Sequence, residues 1–180
     1  MIDSGAHPLG ILPLGGVDQR MVSAVAVAFA DELGIEVKVF APAPSPVHAF
    51  DRHRIQYDAA LIIKSLESTD FEPCLRVVAL VDVDLFVPVF TFVFGEARKG
   101  GRVAVASAFR LKDQPERLAK ISLHEFGHLC MLDHCHWDDG CVMNFSCDIK
   151  ALDRIPDRFC RYCLEQVKFM ARSPISQFEP

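Results

Sequence analysis

The stretch His124-Glu125-Phe126-Gly127-His128 contains the strongest structural signal in this 180-residue chain. Helical residues four positions apart lie on one face, so the imidazoles of His124 and His128 can reach one metal ion from adjacent turns. Glu125 is rotated by about 100° from His124, which places its carboxylate beside the ion rather than on it. The pattern is typical of a zinc site at which a glutamate takes a proton from the attacking water.

A third zinc ligand is expected shortly after this helix, because zinc in a hydrolase usually keeps three protein ligands and one open position. His134 is the predicted third ligand. On a continuing helix it would lie about 120° away from the face of His128, so the helix must end between them. His136, Asp133 and Asp138 remain alternatives.

The cysteines form a second cluster. Six of the seven lie in the last third of the chain: Cys130, Cys135, Cys141, Cys147, Cys160 and Cys163. A Cys-x-x-Cys pair that closes a loop begun by two earlier cysteines is what a tetrahedral thiolate site needs. Cys130 lies about 200° around the helix from His128, so we expect it to be a small buried hydrophobe, as we do Cys74.

Composition limits the class of protein. Hydrophobic residues make up 51% and charged residues 24% of the chain, which argues against intrinsic disorder. The formal net charge of −5 argues against a nucleic-acid partner, although a zinc ribbon with Arg154, Arg158 and Arg161 remains a minor alternative. No secretory signal and no apolar run of about 18 residues is evident. We therefore expect a soluble, cytoplasmic protein without a membrane partner, with a monomer as the default.

Periodicity predicts a single α/β domain over residues 1–180, a mixed twisted sheet with packed helices in the order β-α-β-α-β-β-β-α. Asp18 is a predicted N-cap and Gly34 a predicted helix stop. Asp113 and Glu116 form a predicted capping box. The predicted strands are 10–14, 35–39, 75–81, 89–94 and 103–109, and the predicted helices are 18–33, 52–66, 113–131 and 161–171.

The pattern His124-Glu125-x-x-His128-x-x-Met131-x-x-His134 resembles the metzincin metallopeptidase signature. The chain is more specifically similar to the archaemetzincins, which add a cysteine after the third histidine, then Cys-x-Met, then Cys-x-x-Cys. The matching residues are Cys135, Cys141-Val142-Met143 and Cys160-Arg161-Tyr162-Cys163, with similar segments at 82–86 and 92–97 and a weaker one at 12–15.

The resemblance implies a compact metzincin-like fold with two zinc ions. A catalytic zinc would lie on His124, His128 and His134, with Glu125 as the general base and Met143 in a methionine turn beneath the ion. A structural zinc would lie on Cys135, Cys141, Cys160 and Cys163, and Cys147 is the alternative fourth ligand. The active-site helix would complete an N-terminal part, 1–128, and the Cys-rich subdomain would occupy 129–180.

Two departures from the family pattern bear on the site. The signature has Gly where this chain has Met131, and a left-handed Met costs on the order of 1–2 kcal/mol relative to Gly. Asp133 is an alternative position for that turn. Five residues separate Cys135 from Cys141, where the family spacing is four.

We therefore expect peptide-bond hydrolysis on a peptide or protein substrate. By analogy with metzincins, an extended peptide would pair antiparallel with a strand containing Thr91, Phe92, Val93 and Phe94. Their apolar side chains would line the cleft, or else belong to the ordinary core. The alternative function is a zinc-stabilised peptide-binding module with little turnover, which a third ligand distorted by Met131 would favour.

Overall fold

A five-stranded mixed sheet forms the centre of the computed structural model, which describes residues 7–146, 148–173 and 175. The strand order is β2-β1-β5-β8-β7, in which the first four strands are parallel and β7 is antiparallel to β8. The strands are β1 (Leu9–Leu14), β2 (Val37–Val39), β5 (Val77–Val81), β7 (Gly95–Ala97) and β8 (Val103–Ser107). A three-stranded sheet has the order β3-β4-β6, with β3 (Phe50–Asp51), β4 (Gln56–Asp58) and β6 (Leu85–Phe86).

Helices cover both faces of the central sheet, as expected for parallel strands that are buried on both sides. The helices are α1 (Gln19–Leu33), α2 (Ala59–Glu67), α3 (Pro115–Leu129), α4 (Ile149–Arg154) and α5 (Arg161–Ala171). One face packs against α1 and α3, whose Phe29 and Phe126 rings meet edge to face at 5.2 Å. The other face packs against α2 through Ile62 and Ile63. The predicted mixed α/β class is confirmed.

Helix α1 begins and ends where its capping residues predict. The Asp18 carboxylate accepts a hydrogen bond from the Arg20 amide at 2.7 Å, and Gly34 closes the helix in the left-handed conformation at φ 64°. The buried face contains Val25 and Phe29, which lie four residues apart and therefore about one helical turn apart. The last helix, 161–171, has its predicted bounds.

The predicted helix 52–66 is wrong in its first half. Residues 50–58 form the β3–β4 hairpin, because the Asp51 carboxylate accepts hydrogen bonds from the His53 and Arg54 amides and Ile55 turns the chain at φ 55°. Helix α2 begins only after Asp58, whose carboxylate accepts from the amides of Ala60 and Leu61 at 2.9 and 3.2 Å.

The predicted strand 89–94 is also wrong. The segment is a loop, joined to the backbone of the small sheet by an isolated bridge between Val93 and Leu85. The edge strand is β7, which pairs with β8 in the register Gly95 with Ala106. Pro88 and the exposed Val89 and Phe90 begin the loop, and proline cannot donate to a strand ladder.

Helix α3 starts two residues after its predicted cap. Gln114 is the N-cap and Pro115 occupies the first turn, whereas Asp113 has a φ of 52° and the predicted capping box does not form. Helix α4 was not among the predicted elements. None of the described helices has the length and apolarity that crossing a membrane requires.

We expect Asp58→Ala to lower the free energy of unfolding by about 1 kcal/mol, because the substitution removes the cap of α2. If residues 52–66 were one helix, Asp58 would be interior and alanine would instead stabilise it by about half a kcal/mol. Denaturant unfolding followed by circular dichroism distinguishes the two signs. Asp157→Ala, at an exposed site outside the helices, is the control and should change stability by less than about 0.5 kcal/mol.

Candidate active site and metal centre

Helix α3 presents His124 and His128 one turn apart, and a backbone carbonyl orients each ring. Nδ1 of His124 lies 2.9 Å from the Val142 carbonyl oxygen, and Nδ1 of His128 lies 2.9 Å from that of Leu132. Since a carbonyl only accepts, each Nδ1 carries the proton. In the neutral rings both Nε2 atoms are therefore left as lone-pair donors for a metal.

The two Nε2 atoms face each other at 3.1 Å. Two unprotonated nitrogens at this separation repel unless a cation lies between them. Nitrogens bound to one tetrahedral zinc ion at about 2.0–2.1 Å would be about 3.3 Å apart. His134 joins them, with its ring centroid 5.2 Å from that of His124 and 5.1 Å from that of His128. One donor atom from each ring lies within 4.8 Å of the other two.

The chain leaves α3 through a Schellman motif centred on Met131. The Leu132 amide donates to the Gly127 carbonyl and the Met131 amide to the His128 carbonyl, both at 3.0 Å. Met131 occupies the left-handed position of this motif at φ 67°, where glycine is usual. The proposed turn at Asp133 is thus wrong, and Met131 turns the chain so that His134 reaches the other two rings.

Burial keeps the three imidazoles in the form that binds metal. It lowers the pKa of His124 to about 3, with a further contribution from His128. Burial also lowers the pKa values of His128 and His134. The rings are therefore neutral near pH 7, as zinc ligation requires.

Glu125 lies beside the imidazoles, with its side chain packed against the edge strand. Its residue is 7% exposed, and a Cβ atom at Gly95 would lie 2.7 Å from the Glu125 Cγ and 2.8 Å from Oε1. Only glycine at that position allows this approach. Burial, assisted by the charge of Glu96, raises the pKa of Glu125 well above its usual value.

Met143 packs against α3 at Gly127. A Cβ atom at Gly127 would collide with the Met143 Sδ, so the glycine between the two histidines lets the methionine approach the helix. The Cys135 amide donates to the Met143 carbonyl at 3.0 Å, which connects the methionine segment to the residue after His134. Met143 is fully buried in the main core, as a gap-filling role predicts.

Four buried cysteines form a second group: Cys135, Cys141, Cys160 and Cys163. Their sulfur atoms all lie within 4.8 Å of one another, and Cys135 and Cys160 are 4.0 Å apart. Thiolates on one zinc at about 2.3 Å would be about 3.8 Å apart. Burial raises the pKa of Cys141 to about 11 and raises that of Cys163. A cation would stabilise the thiolates that burial alone disfavours.

Two of the alternative ligands of the histidine site, Asp133 and Asp138, make hydrogen bonds of their own. Asp133 accepts a hydrogen bond from Lys99 at 2.6 Å, and Asp138 accepts one from the Gly140 amide. The histidine group found among residues 7–146, 148–173 and 175 contains neither of them, nor His136. Cys147 lies outside the described residues. Cys130 and Cys74 are buried, as predicted.

A cleft of about 440 Å³ opens above the histidines. Thr91, Phe92, Val93 and Phe94 all line it, but as a loop rather than as the predicted strand. Other cleft residues were missed by the sequence analysis: Gly95, Lys99, Ile121 and Phe145. Ile121 precedes His124 by one helical turn on α3, a signal that could have identified it. The other three depend on contacts between distant segments.

Known proteins are similar to this chain in both sequence and fold. The model of peptidase family M54 matches residues 34–169. An archaemetzincin from Methanopyrus kandleri is 42% identical over 67% of this chain and 70% of its own length. One from Archaeoglobus fulgidus is 32% identical over 88% of this chain and 98% of its own length.

Solved structures agree with these relatives. The crystal structure of the Methanopyrus kandleri archaemetzincin matches with a TM-score of 0.84 at 34% identity, covering 96% of this chain and all of that one. The Archaeoglobus fulgidus structure matches with a TM-score of 0.77 at 31% identity, covering 88% of this chain and 99% of that one. The family match and these relatives assign a zinc metallopeptidase activity, and the chain belongs to peptidase family M54, the archaemetzincins.

Proposed function

We propose that this zinc metallopeptidase hydrolyses peptide bonds in the cleft above His124, His128 and His134, with Glu125 as general base. The observation that carries the proposal is the meeting of three imidazole donors beside one buried carboxylate at the floor of an open cleft. The chemistry of the donors fits a catalytic zinc, which takes three protein ligands and keeps an open position. The favourable placement of His134 removes the main support for a binding module without turnover.

The protein's own groups account for the proton movements. A zinc ion held by the three histidines would lower the pKa of a coordinated water and polarise the scissile carbonyl. Glu125 accepts the proton of the attacking water and then passes it to the leaving amine. Its buried position against Gly95 holds the carboxylate in one place and limits its hydration.

The edge strand β7 offers the backbone groups for an extended substrate. The Ser107 amide donates to the Phe94 carbonyl at 2.8 Å. Because bonding direction alternates along an antiparallel strand, Glu96 also bonds toward β8, while Gly95 and Ala97 direct their N–H and C=O groups outward. We propose that the substrate pairs antiparallel with Gly95–Ala97, in place of the expected 91–94 segment.

The cysteine group is proposed to hold a structural zinc that positions the catalytic ligands. Cys135 directly follows His134, so fixing its sulfur fixes the histidine loop. Cys141 directly precedes Val142, whose carbonyl orients His124. One metal would thereby fix both His134 and the Val142 carbonyl, which sets the tautomer of His124.

The other sequence-based expectations remain predictions. They are a monomeric state, a cytoplasmic location, the absence of a nucleic-acid partner, and a single domain that divides into 1–128 and 129–180. The described fold is consistent with that division, since α3 ends at Leu129 and the segments after it supply His134 and the cysteines.

We expect Glu125→Gln to lower kcat on peptide substrates by about 100-fold to 10,000-fold, the usual contribution of a general base. Zinc binding should be retained because Glu125 is not a ligand. Peptide cleavage followed by mass spectrometry and metal analysis measure both. Glu116→Gln, an exposed glutamate in the first turn of the same helix, is the control. Equal rates for native protein and Glu125→Gln would remove Glu125 from the chemistry.

We expect two zinc ions per chain by metal analysis of purified protein. His134→Ala should lower the catalytic occupancy and leave the cysteine-bound ion in place, so the content falls toward one. Cobalt substitution distinguishes the two sites, because thiolate ligands give an intense charge-transfer absorption and imidazoles do not. A native content of one ion, with no thiolate signal, would show that the cysteine group is not a metal site.

We expect Cys141→Ser to weaken zinc binding at the histidine site by about 10-fold to 100-fold, as is usual when a group that orients a ligand is disturbed. Competition with a chelator measures the affinity at each site. Cys74→Ser changes another buried cysteine far from both groups and is the matched control. An unchanged affinity at the histidine site in a folded Cys141→Ser protein would contradict the coupling.

A further inference from the structure

We propose that Arg110 is a positioning residue that holds Phe92 as a wall of the cleft and so makes the enzyme select a large apolar residue immediately after the scissile bond. The inference rests on the proposed function, since it concerns the substrate of the same cleft. Arg110 precedes α3 by several residues and contacts none of the candidate metal ligands in the described contacts.

The Arg110 guanidinium is fixed by two hydrogen bonds to one carboxylate. Its Nε donates to Asp84 Oδ1 at 2.6 Å and its Nη2 to Asp84 Oδ2 at 2.7 Å. Such a bidentate pair restricts the plane of the guanidinium, which a lysine could not do. The Asp84 side chain is 13% exposed and that of Arg110 is 39% exposed, so the pair is partly shielded from water on its carboxylate side.

Phe92 stacks on this fixed plane. The Arg110 Cζ lies 4.1 Å from the centroid of the Phe92 ring, within the range of a cation–π contact. The Phe94 ring meets the Phe92 ring edge to face at 5.3 Å. Arg110 and Phe94 thus both contact the Phe92 ring, although it belongs to a loop.

The loop backbone is held by the same network. Nε2 of the buried Gln56 lies 3.0 Å from both Asp84 Oδ2 and the Thr91 carbonyl oxygen. Nη1 of Arg54 donates to the Phe90 carbonyl at 3.1 Å. Side chains from β4 and the preceding turn therefore anchor the two residues before Phe92, and Asp84 joins this anchor to Arg110.

The direction of the substrate determines which of its residues would contact Phe92. A peptide antiparallel to β7 runs opposite to the strand, so its residues after the scissile bond lie toward the start of β7. Phe92 and Phe94 precede that start and line the cleft together with Ile121. An apolar side chain after the scissile bond would contact these three residues, and its fit would depend on where Phe92 is held.

The test measures cleavage preference in a peptide mixture randomised on both sides of the cleavage site. Mass spectrometry gives the ratio of Phe and Leu to Ala at the position after the scissile bond. We expect Arg110→Met to lower this ratio by about tenfold, the size of effect that a change in an apolar pocket produces. KM for Phe peptides should rise while kcat changes less, and zinc content should be unchanged.

Arg117→Met is the matched control, because Arg117 makes an equivalent bidentate pair with Asp153 at 2.7 and 2.8 Å away from the cleft loop. Arg110→Lys is the second variant; it keeps a cation opposite Asp84 but loses the planar face, and its ratio should also fall. An unchanged ratio in folded Arg110 variants, or an equal fall in Arg117→Met, would overturn the positioning role.

A separate binding measurement keeps this inference distinct from the proposed function. Zinc-loaded Glu125→Gln protein is titrated with labelled Phe and Ala peptides, and fluorescence anisotropy gives their Kd values. If the native protein cleaves no peptide, the hydrolytic proposal fails. Tighter binding of the Phe peptide that is lost in Arg110→Met would still support the positioning of Phe92 by Arg110. Equal Kd values for the two peptides, or no binding of either, would overturn it.

Discussion

Two carbonyl oxygens, those of Val142 and Leu132, determine the form in which the histidines of α3 meet. Each accepts a hydrogen bond from an Nδ1 atom and leaves the opposite Nε2 without a proton. The lone pairs of two such nitrogens at 3.1 Å repel each other, and a cation bound by both would remove that repulsion. The positions of these carbonyls therefore matter: Val142 lies between Cys141 of the cysteine group and Met143, and Leu132 directly follows the turn that ends α3.

At the end of α3, contacts with distant segments offset the backbone strain of Met131. A non-glycine residue in the left-handed region is disfavoured by on the order of 1–2 kcal/mol, and Met131 adopts it in a Schellman motif. The Met131 side chain compensates by packing on the main core and over Gly100, whose amide donates to the His128 carbonyl at 2.9 Å. The same carbonyl thus joins the helix end to the loop after the edge strand.

Short-range sequence signals predicted much of this fold. The wrong predictions lie where contacts between segments far apart in the chain determine the secondary structure. Asp18 and Gly34 set the bounds of α1, and the histidine spacing located the site, because caps and helical periodicity act within one turn. Residues 52–58 have an apolar spacing compatible with a helix, yet the Asp51 turn and pairing with Leu85 make them a hairpin. No short-range pattern distinguishes the 89–94 loop from an edge strand, since the ladder with β8 covers Gly95–Ala97 and reaches the loop only through the bond from the Ser107 amide to the Phe94 carbonyl.

Gly95 brings the catalytic and the binding parts of the cleft into contact. On one side its missing side chain leaves room for the Glu125 carboxylate, and in the proposed binding mode its backbone N–H and C=O pair with the peptide on the other. Any side chain there would displace Glu125 from the site or push β7 outward. Under the proposed function, the base and the substrate strand would therefore approach each other through a residue without a Cβ, and a short edge strand would be enough to align a peptide with Glu125.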